Sequence, residues 1–420
     1  MKKSKIYPWI VVGLLWVVAL LNYMDRQMLS TMRDVMSLDI VELESAANFG
    51  RLMAAFLWIY GLASPFAGLL ADRINRKWLI VSSLLIWSLV TLLMGFTHDF
   101  THLYVLRGIM GISEAIYIPT ALALIADYHT DGHRSLAIGL HMTGLYVGQA
   151  LGGYGAVLAA RYSWQHTFFG FGVIGILYAV VLIFTLYETE EHMLQFSKKD
   201  TEYLSFREQL LKPFSGFKML LTSLPFWIIL LYFATPSLPG WATKNWLPTL
   251  FSTNLSMDMT AAGPMSTITI AVSSFIGVLI GGVLSDRWVK VNLRGRVYMG
   301  CIALGLMIPA LLLLGFGHTV VTVVGGGLCF GLGIGIFDTS TMPIICQFFS
   351  SKYRSTAMGV LNMVGVFAGA YITDLLGRSM DDGHLGLDFA KLAGLVTIAL
   401  FVVFLSLRPK VKDMKEISNK

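Results

Sequence analysis

The stretch YVLRGIMGISEAIYIPTALALIA, residues 104–126, is apolar or small at nearly every position, yet it carries Arg107 and Glu114. An earlier run, WIVVGLLWVVALLNYMDRQML at residues 9–29, holds Asp25 and Arg26 in the same unexpected way. A charge at the centre of a bilayer helix costs about 2.5–3.5 kcal/mol or more, so it persists where it lies on an ion or substrate path. Whether these helices lie in a bilayer is decided by the rest of the chain.

The chain has 420 residues, 55% of them hydrophobic and 13% charged. Soluble domains average about 25% charged residues. Twelve apolar stretches are long enough to cross about 30 Å of hydrocarbon. They lie near residues 8–34, 47–71, 78–97, 101–127, 134–160, 164–187, 224–251, 263–286, 297–317, 319–349, 353–377 and 385–407. The expected fold is an all-α membrane protein of twelve transmembrane helices. MKKSK before an apolar run resembles a secretory signal, but the run is too long and no small-residue cleavage site follows, so it reads as a retained first span. Cys301, Cys329 and Cys346 all fall in predicted helices without CxxC spacing. No disulfide framework, metal site or cofactor is expected from them.

The net charge of +6 could suggest a nucleic-acid partner, but its distribution points to a lipid bilayer instead. With both termini and every even-numbered connection placed in the cytoplasm, 23 Lys and Arg residues fall on that side and four (Arg33, Arg51, Arg161, Arg378) on the other. This is the positive-inside pattern. It predicts a multi-pass protein of the cell (inner) membrane with both ends cytoplasmic.

The longest polar break, residues 188–222, divides the spans six and six. The expected organisation is an N-terminal bundle over 1–187, a cytoplasmic linker over 188–222 and a C-terminal bundle with a short tail over 223–420. The halves repeat. GLLADR (68–73) ends span two and GVLSDR (282–287) ends span eight, 214 residues on. RSLAIG begins at Arg134 and RSTAMG at Arg354, 220 residues on. Glu114 and Asp338 each stand five residues before a proline, Pro119 and Pro343. Six-helix repeats characterise a transporter architecture whose site lies at mid-membrane between the halves.

With these motifs in hand, the chain resembles the major facilitator superfamily over essentially its whole length. GLLADRINRK (68–77) is similar to the signature usually written GxxxDRxGRR/K, with Asn75 in place of the glycine. HMTGLYVGQALGG (141–153) is similar to the glycine-rich pattern of helix five. A narrower likeness is to the anion:cation symporter family of sugar-acid, phosphate-ester and sialin-like carriers. It rests on NYMDR (22–26), FLWIYGLASPFAGLLADR (56–73), RGIMGISEAIYIP (107–119), WLPTLF (246–251) and STAMGVLNMVG (355–365). After Asn362, AGAYITD (368–374) replaces a more usual glycine-proline ending. The NY-x-DR and R-x6-E patterns also occur in Spinster-like lipid carriers.

Arg107 and Glu114 are seven residues apart, which returns a helix almost to the same face about 10 Å further along. One reading is a static pair that sets helix packing. The other is a proton site, because burial favours a neutral carboxyl while a nearby arginine favours the charged one. Asp25 and Arg26 are adjacent and face about 100° apart. They could be a pair at the membrane edge, or Asp25 could couple to Arg107 while Arg26 faces the substrate. The resemblance implies that Asp25 and Glu114 are the protonatable pair and that Arg26 holds an anion. The planar fork of arginine suits a carboxylate. Tyr60, Tyr117, Asn245, Trp246 and Asn362 are the further substrate-binding candidates, each with an alternative packing role. Asp338, the internal counterpart of Glu114, is a candidate second titrating site. Resemblance also implies a gating latch of Asp72, Arg73, Asp127, Arg134, Asp286 and Arg287 at the cytoplasmic helix ends.

The expectation is a proton-coupled symporter of a small organic anion such as a sugar acid, working by rocking of two halves as a monomer. Sodium is an alternative coupling ion. A Spinster-like amphiphile carrier and a solute sensor that moves nothing are the rival readings. No nucleophile–base pair or phosphate-cradling loop suggests an enzyme.

Overall fold

The computed structural model describes residues 6–71, 74–129, 133–189, 221–349 and 351–409. These residues form thirteen α-helices and one short 3-10 turn. The chain divides into two units, residues 1–205 and 206–420. The expected linker over 188–222 falls almost wholly outside the described residues.

Unit 1 contains α1 (Tyr7–Met36), α2 (Ala46–Ala71), α3 (Arg76–Met94), α4 (Phe100–Tyr128), α5 (Arg134–Gly152), α6 (Gly155–Arg161) and α7 (Trp164–Thr185). Unit 2 contains α8 (Leu224–Leu255), α9 (Met259–Val291), α10 (Gly295–Phe316), α11 (Val320–Phe348), α12 (Ser351–Asp381) and α13 (Leu385–Ser406). Eleven of these helices are apolar and long enough to cross a membrane. Helix α5 with its continuation α6 makes the twelfth. The protein is therefore a multi-pass, all-helical membrane protein.

The ends of the helices are written locally. Asn75 caps α3 by accepting from the Trp78 N–H, and Asp99 caps α4 by accepting from the His102 N–H. Thr319 and Thr322 satisfy each other's backbone N–H groups at the start of α11. These caps satisfy donors that a helix start leaves open.

The expected span at 134–160 is instead broken between α5 and α6, where Gly152, Gly153, Tyr154 and Gly155 follow one another. Glycine lowers the cost of leaving the helix. Thr31 of α1 stabilises the break: its hydroxyl accepts from the Ala156 N–H at 3.0 Å and donates to the Met28 carbonyl at 2.8 Å.

Each unit packs in the same order. In unit 1, α1 lies on α5, α2 on α4, and α3 on α7. In unit 2, α8 lies on α12, α9 on α11, and α10 on α13. The repeated sequence therefore corresponds to a repeated pairing of helices. Without a hydrophobic drive between helices in lipid, close packing of small residues carries association. At Gly148 of α5 a Cβ would sit 2.3 Å from the Leu20 carbonyl oxygen of α1. At Gly335 of α11 it would sit 2.2 Å from the Ser274 carbonyl oxygen of α9.

Candidate functional site

Helices α1, α2, α3 and α4 bring four charges together inside unit 1. Asp25, Arg107 and Glu114 are buried, at 5%, 3% and 0% exposure, and Arg26 is nearly so. A carboxylate buried among apolar side chains is costly unless paired. The partner of Glu114 is Arg26, whose Nε donates to Glu114 Oε2 across the α1–α4 contact. The sequence reading placed Arg107 with Glu114 on one helix face. Both do point inward, but the direct ion pair is made from the neighbouring helix.

Arg26 is also enclosed by aromatic rings. Its guanidinium carbon lies 5.2 Å from the Tyr23 ring, 4.8 Å from Phe56 and 4.8 Å from Tyr60. Arg107 lies 4.8 Å from the same Phe56. Two arginines thus share one aromatic residue. Cation–π contacts of this kind contribute about 0.5–2 kcal/mol, more when desolvated. Gly111 permits the approach of α4 to α2, since a Cβ there would meet the Phe56 carbonyl oxygen at 2.6 Å.

Hydrogen bonding in this cluster is incomplete. Arg26 Nη2, Arg107 Nε, Asp25 Oδ1 and Glu114 Oε1 are buried without a hydrogen-bond partner. Arg107 Nη1 reaches only the Met110 sulfur, at 3.1 Å. Asp25 Oδ2 accepts a long bond from Thr91, 3.4 Å, and makes no ion pair with Arg107. Asn22 stands beside the Glu114 carboxylate. Unsatisfied buried polar groups are costly, and here they gather at two arginines and two carboxylates.

The remaining sequence candidates take varied positions. Tyr60 is half-buried and stacks on Phe56 at 5.7 Å. Tyr117 is fully buried, donates to the Leu15 carbonyl at 2.7 Å and packs edge-on against Trp87. In unit 2, Asn245 donates to Thr373 Oγ1 at 2.8 Å, and Trp246 donates to the Thr373 carbonyl at 3.0 Å. Both bonds tie α8 to α12, which is the interhelical alternative left open by the sequence. Asn362 is half-buried on α12 and Asp338 is exposed on α11.

Asp72 and Arg73 lie outside the described residues. Asp127 pairs with Arg76 at the start of α3, while Arg134 donates to the Ala126 carbonyl at 3.1 Å. Asp286 pairs with Arg296 at the start of α10, 3.4 Å away, and Arg287 is exposed. Arg76 and Arg296 were not among the sequence candidates. Both are nearly buried, and they stand 220 residues apart, the same offset as RSLAIG and RSTAMG. That offset was the available signal. Nearby cations satisfy helix C-termini in both units: Lys77 donates to the Ile183 carbonyl of α7, and Arg294 to the Phe404 carbonyl of α13. Cations at these ends also complement the helix dipole.

Comparison with known proteins gives one family and a consistent group of relatives. The model of the Major Facilitator Superfamily matches residues 15–373. A probable L-galactonate transporter of Escherichia coli is 26% identical, over 94% of this chain and 88% of that protein. A chloroplastic ascorbate transporter of Arabidopsis thaliana is 23% identical, over 92% and 73%. A probable galactarate/D-glucarate transporter of Escherichia coli is 25% identical, over 88% and 86%. Among solved structures, an inward-facing bacterial homolog of the human lysosomal transporter Spinster superposes with a TM-score of 0.76 at 19% identity, over 96% and 97%. At that identity the likeness speaks to the fold.

Proposed function

Because the chain belongs to the major facilitator superfamily, we propose that it is a proton-coupled symporter of a small organic anion, a sugar acid being the favoured class. The observation that carries this reading is the buried Arg26–Glu114 pair, with a second arginine and a second carboxylate beside it and unpaired polar atoms on all four.

The chemistry follows from charge balance in a low-dielectric site. Two arginines and two carboxylates sum to zero. A proton on Asp25 or Glu114 leaves one excess positive charge, which is expensive to keep desolvated. A substrate carboxylate neutralises it. Arg26 then exchanges Glu114 for the substrate, and its planar fork offers two parallel donors. A proton and an anion each make the other's binding cheaper, which is coupling in the thermodynamic sense. Tyr23 and Tyr60, stacked on Arg26, are placed to meet the same ligand. The names of the relatives, which include carriers of galactonate and galactarate/glucarate, support a polyhydroxy acid. Rocking of two six-helix halves, both termini in the cytoplasm and a monomeric state complete the proposal.

Counterflow in proteoliposomes tests it. Vesicles preloaded with unlabelled L-galactonate or galactarate accumulate the labelled compound transiently if the protein exchanges it. Arg26→Gln abolishes that exchange, whereas Glu114→Gln retains it and loses accumulation driven by a proton gradient. Absence of counterflow with every sugar acid, despite saturable binding of one, would identify a sensor instead. Counterflow of lipid alone would identify an amphiphile carrier.

A further inference from the structure

Unit 2 carries a groove of about 450 Å³ that takes no part in the proposed binding of anion and proton. It is lined by Ile280, Leu284, Arg287 and Trp288 of α9, Met299 and Ile302 of α10, and Ile336 of α11. Residues 280, 284, 287 and 288 recur at the spacing of one helix face, so they form a single stripe about 12 Å long. Met299 and Ile336 are buried and form the floor, while Ile280, Leu284 and Ile302 are more than a third exposed and form the walls.

The chemistry of the groove is graded along its length. Its apolar end lies within the membrane-spanning part of α9 and α10. Its other end carries Arg287 and Trp288, near the end of α9. Trp288 stacks on Tyr298 at 5.5 Å, which places two amphipathic rings at the polar end. Tryptophan and tyrosine favour the headgroup level of a bilayer. The neighbouring acid does not neutralise Arg287, because Asp286 pairs with Arg296 at the start of α10. Lys290, one turn on, is exposed and adds a second cation at the same end.

We infer that this groove holds one anionic phospholipid, its phosphate at Arg287 and one acyl chain along Leu284 and Ile280. The charge of the mouth selects an anionic headgroup, and the apolar stripe selects a chain rather than a free phosphate. A guanidinium is well matched to a phosphate because it donates two parallel hydrogen bonds. The site lies within unit 2 and is separate from the cluster of unit 1, so it stands whether or not a sugar acid is the substrate.

The test is lipid retention by the purified full-length protein, read by native mass spectrometry in detergent with phosphatidylglycerol or phosphatidylcholine added. The expected result is one tightly retained phosphatidylglycerol and weaker retention of phosphatidylcholine. Arg287→Gln weakens phosphatidylglycerol retention about fivefold, the effect of one cation near a charged surface. Leu284→Trp fills the groove, keeps both cations and weakens both lipids. Arg161→Gln, which removes an exposed cation elsewhere on the molecule, leaves retention unchanged. Equal loss in Arg287→Gln and Arg161→Gln would overturn the inference, since it would mean diffuse attraction. So would unchanged retention in Leu284→Trp. Thermal melting of each variant without added lipid separates a folding failure from a lost site, and Arg287→Lys, which keeps the charge and loses the two parallel donors, retains more phosphatidylglycerol than Arg287→Gln and less than the native protein.

Discussion

The proposed coupling rests on Arg26, which would exchange Glu114 for the substrate carboxylate. It holds Glu114 in a buried ion pair, and it lies within three aromatic rings. Replacement by lysine keeps the charge and loses the fork and the stacking, so it is not a conservative change. Arg26→Lys is expected to raise the apparent KM for a sugar acid about tenfold or more, at unchanged protein abundance; an unchanged KM in labelled uptake would remove Arg26 from the substrate contact. The Phe56 ring lies 4.8 Å from both guanidiniums. Phe56→Leu retains most of the volume and loses both cation–π contacts, at about 1–2 kcal/mol in total. A lower melting temperature in Phe56→Leu than in Phe330→Leu, a similarly buried phenylalanine of unit 2, is the expected outcome.

At the scale of the element, helix pairing is specified by where glycine allows backbones to touch. Gly148→Ala on α5 places a Cβ 2.3 Å from the Leu20 carbonyl oxygen, so α1 and α5 must separate. Overpacking of this kind costs about 1–3 kcal/mol. Gly139→Ala on the same helix meets nothing within 4 Å, and in a helix interior alanine is favoured by about 0.5–1 kcal/mol. The melting temperature falls for the first and holds or rises for the second. Equal effects would mean that α5 does not dock through this seam.

Most of this level was legible in the sequence. Apolar length gave twelve spans, and the repeated motifs anticipated two units. The glycines of 141–153 marked α5, although their run at 152–155 also breaks it, which a hydropathy reading merges into one span. Ion pairs were less legible. Arg26 and Glu114 are 88 residues apart. Helical periodicity says that each faces inward, but not which of two arginines reaches the carboxylate. In the same way Asp127 and Asp286 find Arg76 and Arg296, because helix ends distant in sequence are brought together only by tertiary packing. Asn245 and Trp246 had binding and packing roles open to them, and periodicity does not say that both bond Thr373 on another helix.

For the whole molecule, the asymmetry of Lys and Arg predicts an orientation. In a background lacking Cys301, Cys329 and Cys346, a cysteine at His98, between α3 and α4, is expected to react with an impermeant maleimide added to intact cells. A cysteine at Asn292, between α9 and α10, is expected to react only after permeabilisation. Both positions are exposed. The reverse pattern would invert the topology.

Anion and proton are proposed to move together through the Arg26–Glu114 pair. The most direct test is proton flux into proteoliposomes containing a trapped pH-sensitive dye, with sugar acids added outside one at a time. Acidification of the lumen is expected with a polyhydroxy carboxylate, saturable in that compound and absent in Glu114→Gln. Saturable uptake of the same compound with no pH change in the native protein, or an unaltered pH change in Glu114→Gln, would contradict it.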